Sequence, residues 1–307
     1  MEAEEGEEWE KRMEIEENMR MSTIGSYGGK VRNLLVVCAS SSSSSSAAAA
    51  AAAAALSKEE DVQTEAEAEA AEEEIMLLWG IQQPTFSKPN AFVSQSSLQL
   101  SLDACGRSLS ILQSPSSLGT PGVTGAVLWD SGVVLGKFLE HSVDSGMIHL
   151  QGKKVVELGS GCGFVGCVAA LLGGEVVLTD LPDRLRLLKK NVEHNLYGEI
   201  RGSANVHEFI WGDNYSNPEI TDPLPDYVIG SDVIYSEGAV TELLETLLEL
   251  SGPKTTIILA GELRNDAILQ YFLELALKDF IIGRVDQTDC HPDYRSQRVV
   301  IYVLAKK

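Results

Sequence analysis

From residue 154 to the end of the chain, short apolar runs alternate with stretches of helical spacing, and the last two runs are joined by a loop with no such spacing. Strands are expected at 154–158, 175–179, 206–210, 227–231, 256–260, 280–285 and 298–304, since each is apolar and bounded by turn formers. Helical spacing fills 165–172, 183–196, 239–250 and 266–278. Strands that alternate with helices read as βαβ units, whose sheet is covered on both faces. A parallel neighbour needs a crossover of a dozen or more residues, usually helical. Between the last two runs there is only a loop holding Asp289, His291, Pro292, Asp293 and Tyr294, so the final strand is expected to run antiparallel. The expected fold class is α/β, a Rossmann-like, seven-stranded, mostly parallel sheet with an antiparallel last strand and helices on both faces.

Upstream, Val127, Leu128, Val133, Val134, Leu135, Phe138 and Leu139 carry helical spacing. Alternating segments at 97–102 and 109–112, interrupted at 103–106, predict a β-hairpin and with it a small antiparallel cap. Residues 40–55 are only serine and alanine, and 59–74 are mostly acids and alanine, so neither can bury a core. The expected division is a disordered, acidic, Ser/Ala-rich tail over 1–75 and a folded domain over 76–307, with the cap at about 84–122 and the core at about 123–307.

In open α/β sheets ligands bind beyond the carboxyl ends of the strands, at the switch point beside the first strand. The turn Glu157, Leu158, Gly159, Ser160, Gly161, Cys162, Gly163 falls there. Its glycines let a ligand lie against main-chain amides, and the following helix N-terminus favours an anionic group such as the methionine carboxylate of S-adenosylmethionine. Asp180 ends the next strand, where a carboxylate can accept both ribose hydroxyls; the competing reading is that it caps a helix beginning near Pro182. The overlapping run Gly161, Cys162, Gly163, Phe164, Val165, Gly166 is also a literal GxGxxG, so a nicotinamide-dependent oxidoreductase is a second function. Trp211 and Ser231, at the ends of the third and fourth strands, reach the same crevice. An indole there packs on adenine or is a core-edge tryptophan, while Ser231 can lie beside the methyl donor through its backbone.

Seven strands ending in an antiparallel hairpin resemble the plan of class I methyltransferases. Trp129 in GAVLWDS, the stretch VVELGSGCGFVG, LTDLP, Trp211 before Gly212, and Asp232, Val233, Ile234, Tyr235 resemble the methyltransferase-like 21 group, the family 16 seven-strand enzymes that methylate protein lysines. The similarity runs from about Phe92 to the C-terminus. It implies that Trp129, Glu157, Gly159, Ser160, Gly161, Gly163, Asp180, Trp211 and Ser231 bind S-adenosylmethionine, and that Asp232 and Tyr235 border the acceptor lysine. Ser231 departs from the alanine common there. A third function keeps the fold and the donor site without catalysis, as a binding module. Glu262 and Arg264, after the fifth strand, either pair with each other or shape the acceptor entrance, and His291 is expected as a solvated loop residue.

The chain carries a net charge of -21, and residues 1–75 hold 18 acids against 6 bases. That balance repels phosphate backbones, so the expected partner is a protein substrate and not nucleic acid, with a monomer acting alone. Cys38, Cys105, Cys162, Cys167 and Cys290 form no CxxC pair and no zinc-type spacing, so no metal site is expected, and a reducing compartment fits. The alanine run at 47–55 is too short to span a bilayer. The cytoplasm is the expected location. The alternative is a plastid: a start at Met19 or Met21 would put Arg20, Lys30, Arg32 and a Ser/Ala-rich run at the front, the composition of a transit peptide.

Overall fold

The computed structural model describes residues 21–34, 91–119, 125–213, 217–263 and 266–307. In β5 (Lys154–Leu158), Val155, Val156, Glu157 and Leu158 are all buried although alternate side chains point to opposite faces. A strand of that kind needs cover above and below. On one face Val155, Leu178, Ile229, Ile258 and Ile301 pack under the helices α1 (Asp130–Asp144), α2 (Phe164–Leu171) and α3 (Leu185–Asn195). On the other, Val156, Val228, Leu259 and Tyr302 pack under α4 (Glu237–Leu250) and α5 (Asp266–Ala276). The result is three layers, helix on sheet on helix.

The remaining strands of the main sheet are β6 (Glu175–Asp180), β7 (Ser203–Glu208), β8 (Tyr227–Ser231), β9 (Thr256–Glu262), β10 (Phe280–Val285) and β11 (Val299–Lys306). The spatial order β7, β6, β5, β8, β9 is parallel throughout, and β11 then inserts antiparallel between β9 and β10. The expected break in the alternation is therefore real. Its loop is occupied by two short 3-10 turns, Gln287–Asp289 and Pro292–Tyr294. The switch point lies between β5 and β8, whose crossovers leave in opposite directions, so their carboxyl ends open a crevice.

The sheet has nine strands, two more than expected. A hairpin of β1 (Met21–Ile24) and β2 (Tyr27–Asn33) pairs antiparallel with β10. This corrects the assignment of 1–75 to a tail. Tyr27 is 1% exposed and Val31 0%, and the Tyr27 ring packs at a tilt of 48° against Phe138 of α1, 5.8 Å between ring centroids. The turn Gly25–Ser26 takes a positive φ of 59° at Gly25, as tight hairpin turns require. The Ser/Ala-rich and acidic stretches at 40–55 and 59–74 lie outside the described residues.

The cap is a separate two-stranded sheet, β3 (Gln99–Ala104) with β4 (Arg107–Leu112). Two asparagines one turn apart on α3 take over the outer edge of β4. Asn195 accepts from Ser110 N at 2.6 Å and donates to Ser110 O at 2.9 Å; Asn191 does the same with Leu112, both at 2.9 Å. Spacing of i and i+4 puts both amides on one helix face, and each reproduces the bond pair a neighbouring strand would offer.

Candidate active site

Gly159, Gly161 and Gly163 all adopt positive φ, at 61°, 53° and 79°. This alternation folds the chain back over the end of β5, and L-residues with a Cβ disfavour it. The turn is tied to β6 by Ser160, whose N donates to Thr179 O at 2.9 Å while its Oγ accepts from Thr179 N at 3.1 Å. Thr179 Oγ1 donates in turn to Glu157 O at 2.6 Å. A Cβ on Gly159 would stand 3.2 Å from Val233 Cγ1 and 3.3 Å from Trp211 Cζ2, and one on Gly161 would stand 3.2 Å from Gly125 O. The turn is thus a close-packed cradle whose walls are Val233 with Trp211 and the backbone at Gly125.

Asp180, the last residue of β6, accepts from Gly161 N at 2.7 Å through Oδ2 and from Leu181 N at 2.8 Å through Oδ1. Each oxygen keeps a second lone pair, so two further hydroxyl donors fit. Burial pushes its pKa up, opposed by those two backbone bonds. The capping alternative does not hold: α3 begins at Leu185 after Arg184, not near Pro182, and no side chain caps it. The Gly161 amide, expected to face a ligand, is turned toward Asp180 instead.

Glu157 is placed beneath the turn and not on the crevice. It is 1% exposed, its Oε2 has no hydrogen-bond partner, and a Cβ on Gly166 would stand 2.5 Å from that oxygen. Desolvation, with a smaller push from Asp180, drives its pKa up to about 8, so the carboxyl is largely protonated at neutral pH. Burial likewise pushes the Cys162 thiol up to about 12, which keeps this neighbour of the glycines unreactive.

Ser231 ends β8 as expected, and a Cβ on Gly132 of α1 would reach 3.4 Å from its Oγ. Trp129 is the residue just before α1, partly buried, so it stands on the same side. Trp211 does not end a strand: β7 stops at Glu208 and Trp211 sits in the following turn. Its ring lies 6.3 Å from that of Tyr235, tilted by 45°. Tyr235 is 52% exposed, and burial of the remainder, with the charges of Glu242 and Asp180, pushes its pKa up, so the phenol keeps its proton.

Asp232 carries a φ of 54°, rare outside glycine. The ends of β8 and β9 hold it there: its N donates to Ala260 O at 2.9 Å and its Oδ1 accepts from Glu262 N at 2.9 Å. Glu262 pairs with Arg298 at 3.2 Å, and Arg264 lies outside the described residues. His291 is not simply solvated. Its ring packs against His141 at 5.9 Å and Tyr294 at 5.2 Å. Among the described residues no group of three His, Cys, Asp or Glu side chains could hold a metal ion.

Three supports escaped sequence reasoning. Gly125 gives the crevice a wall with no side chain. Gln113 is buried and accepts from Leu128 N at 2.7 Å while donating to Ser97 O at 2.7 Å, fixing the segment that leads to Trp129. Asn191 also donates to Cys162 O at 2.9 Å, so one amide ties the cap to the glycine turn.

A sequence model of the family described as lysine methyltransferase matches residues 109–278, more than half of the chain and every crevice residue just named. The chain belongs to that family. Among its relatives, the mouse protein N-lysine methyltransferase METTL21A is 40% identical over 179 residues, covering 56% of this chain and 77% of its own length. The Xenopus tropicalis EEF1A lysine methyltransferase 3 is 32% identical over 200 residues, covering 64% and 83%. A TehB-like SAM-dependent methyltransferase of Corynebacterium glutamicum is a solved structure with a TM-score of 0.42 and 16% identity, covering 56% of this chain and 88% of its own. In this lysine methyltransferase, the glycine turn, Asp180, Trp211, Ser231, Asp232 and Tyr235 all stand at the carboxyl edge of β5, β6, β7 and β8 or in the turns leaving it.

Proposed function

We propose that the crevice beyond β5, β6 and β8 is where this lysine methyltransferase takes S-adenosylmethionine and presents it to a lysine of a protein substrate. The observation that carries the reading is the meeting of two acids of different character across one glycine turn. Asp180 is bonded into the turn with lone pairs to spare, and Asp232 is held in a left-handed conformation at the neighbouring strand end.

Bound S-adenosylmethionine supplies a methyl group on a sulfonium, which is its own leaving group, so the protein's task is alignment. Asp180 accepts the ribose hydroxyls, and Gly159, Ser160, Gly161 and Gly163 leave the donor room against the main chain. Trp211 packs on the base, while Trp129 and Ser231 close the side toward α1. Glu157 supports the turn from below as a protonated acid. Asp232 draws in the lysine ammonium. A carboxylate that close favours the charged amine, so the proton leaves to water and Asp232 does not act as a strong base. Tyr235, with its phenol protonated, offers a ring face and a hydroxyl beside the entering side chain.

We place the enzyme in the cytosol as a monomer that acts on protein and not nucleic acid. Four described cysteines are free thiols, as a reducing compartment allows, and among the described residues no helix is long and apolar enough to cross a membrane. Against the plastid alternative, Arg32 and Lys30 belong to β2, so removing a leader that includes them would strip Tyr27 and Val31 from the core. The nicotinamide reading of 161–166 is disfavoured by the match to the lysine methyltransferase family, since the close packing of Gly166 on Leu178 and Glu157 is common to both kinds of site.

Calorimetric titration tests the donor site. S-adenosylhomocysteine is expected to bind the full chain, Asp180→Ala to weaken it by about 10- to 100-fold, and NADH to give no heat. Binding of NADH without S-adenosylhomocysteine overturns the proposal.

A further inference from the structure

The exposed side of α3 is basic, against the acidic balance of the chain. Arg184, Arg186, Lys189 and Lys190 fall within seven residues, against Asp183 and Glu193 nearby. The buried residues Leu188, Asn191, Val192 and Asn195 settle which side faces the protein, leaving Arg186, Lys189 and Lys190 exposed at i, i+3 and i+4. Among the described residues no acid pairs with any of these three, although Arg184 holds Asp183 at 3.3 Å. The stripe begins one turn beyond Asp180. Its far end opens on a groove of about 390 Å³ lined by Arg107, Ser108, Leu109, Asn195, Tyr197 and Gly198, in which Tyr197 is 73% exposed.

Three unpaired cations in a row on a chain of net charge -21 call for a polyanion, and the chain carries one. Residues 59–74 hold nine acids and no base, and 65–74 read EAEAEAAEEE. We propose that this acidic segment docks along the basic stripe of α3, its carboxylates on Arg186, Lys189 and Lys190 and its alanine methyls toward the groove at Tyr197.

The tether permits it. Phe92 N and Ala91 N donate to Asp130, so the chain is pinned at the start of α1, close before the hairpin that α3 holds by Asn191 and Asn195. The 17 residues from 74 to 91 span at most roughly 60 Å, several times the ~17 Å length of α3. Being covalently attached, the segment meets the stripe at a high effective concentration, on the order of millimolar, which an outside acidic partner would have to exceed. Exposed pairs are individually weak, so contact depends on several acting together and on low salt.

The test uses the intact chain and a variant in which the nine acids become glutamine or asparagine. Zero-length carboxyl–amine cross-linking of a mixture of isotopically light and heavy protein, read by mass spectrometry, should join Lys189 or Lys190 to residues 59–74 within one chain. Most of that yield should vanish between about 0.02 and 0.5 M salt, as the screening length falls from roughly 20 to 4 Å. Acylation of Lys189 and Lys190 should be severalfold faster in the neutralised variant, with Lys278 unchanged. Light–heavy cross-links at the share expected of random pairing in the mixture would show that a second copy is the occupant and overturn the proposal. So would cross-links spread over other lysines, or acylation rates equal in the two proteins. None of these readouts depends on methyl transfer, so failure here leaves the assignment of the crevice standing.

Discussion

Glu157 is the residue whose role changes most between sequence and structure. As the acid opening a glycine turn it reads as a ligand-facing group, yet it lies under the turn with its charge suppressed. Because burial raises its folded pKa to about 8, above the unfolded value near 4.5, the folded state binds the proton more tightly. The stabilisation is complete below the unfolded pKa and is lost as pH rises through 8. The unfolding temperature of the wild type should therefore fall more steeply between about pH 5 and 8 than that of Glu157→Gln, which keeps the shape without the titration. Equal slopes would mean that Glu157 does not carry its proton there. Glycine spacing and the strand-end acid Asp180 were legible because they obey local rules of backbone conformation and strand position. The inward turn of Glu157, set by the missing Cβ at Gly166 nine residues on, obeys no such rule.

At the scale of elements, the parallel strands and their helices were legible because period 2 and period 3.6 are imposed by burial on each element separately. Boundaries moved by a few residues where polar strand ends such as Ser203 and Glu208 carry no apolar signal, and this displaced Trp211 from a strand end to a turn. The hairpin of β1 and β2 was missed because acidic and Ser/Ala-rich stretches flank it, although Gly25–Ser26 between Ile24 and Tyr27 is a hairpin turn signal. Tyr27→Ala should cost about 3–5 kcal/mol, measured by denaturant unfolding, as expected for a fully buried aromatic ring packed on Phe138. A cost within about 0.5 kcal/mol would place the hairpin outside the folded unit. Asn191 is the comparable element-level joint at the cap. Asn191→Ala removes partners of Leu112 N, Leu112 O and Cys162 O together, and about 2 kcal/mol of stability should go with them, alongside weaker binding of S-adenosylhomocysteine. Loss of stability with donor affinity unchanged would separate the cap from the turn. Side chain-to-backbone bonds of this kind join segments some 30 to 80 residues apart in sequence and leave no periodic trace.

For the molecule as a whole, the inserted antiparallel β11 and the match over 109–278 place the chain among lysine methyltransferases, and the crevice follows from the order of the strands. The acidic balance, -21 over 307 residues, favours a basic protein segment as the approaching partner, and association should slow as salt screens that attraction. The most direct measurement is transfer of isotope-labelled methyl from S-adenosylmethionine into lysate proteins by the full chain, with the product located by mass spectrometry. Asp232→Asn serves as the matched variant, because asparagine tolerates the positive φ and can still accept from Glu262 N while removing the charge. The account predicts label on lysine side chains of protein, reduced about tenfold or more by Asp232→Asn with donor binding retained. Label on another residue type, or on lysine at an undiminished rate in that variant, would contradict it.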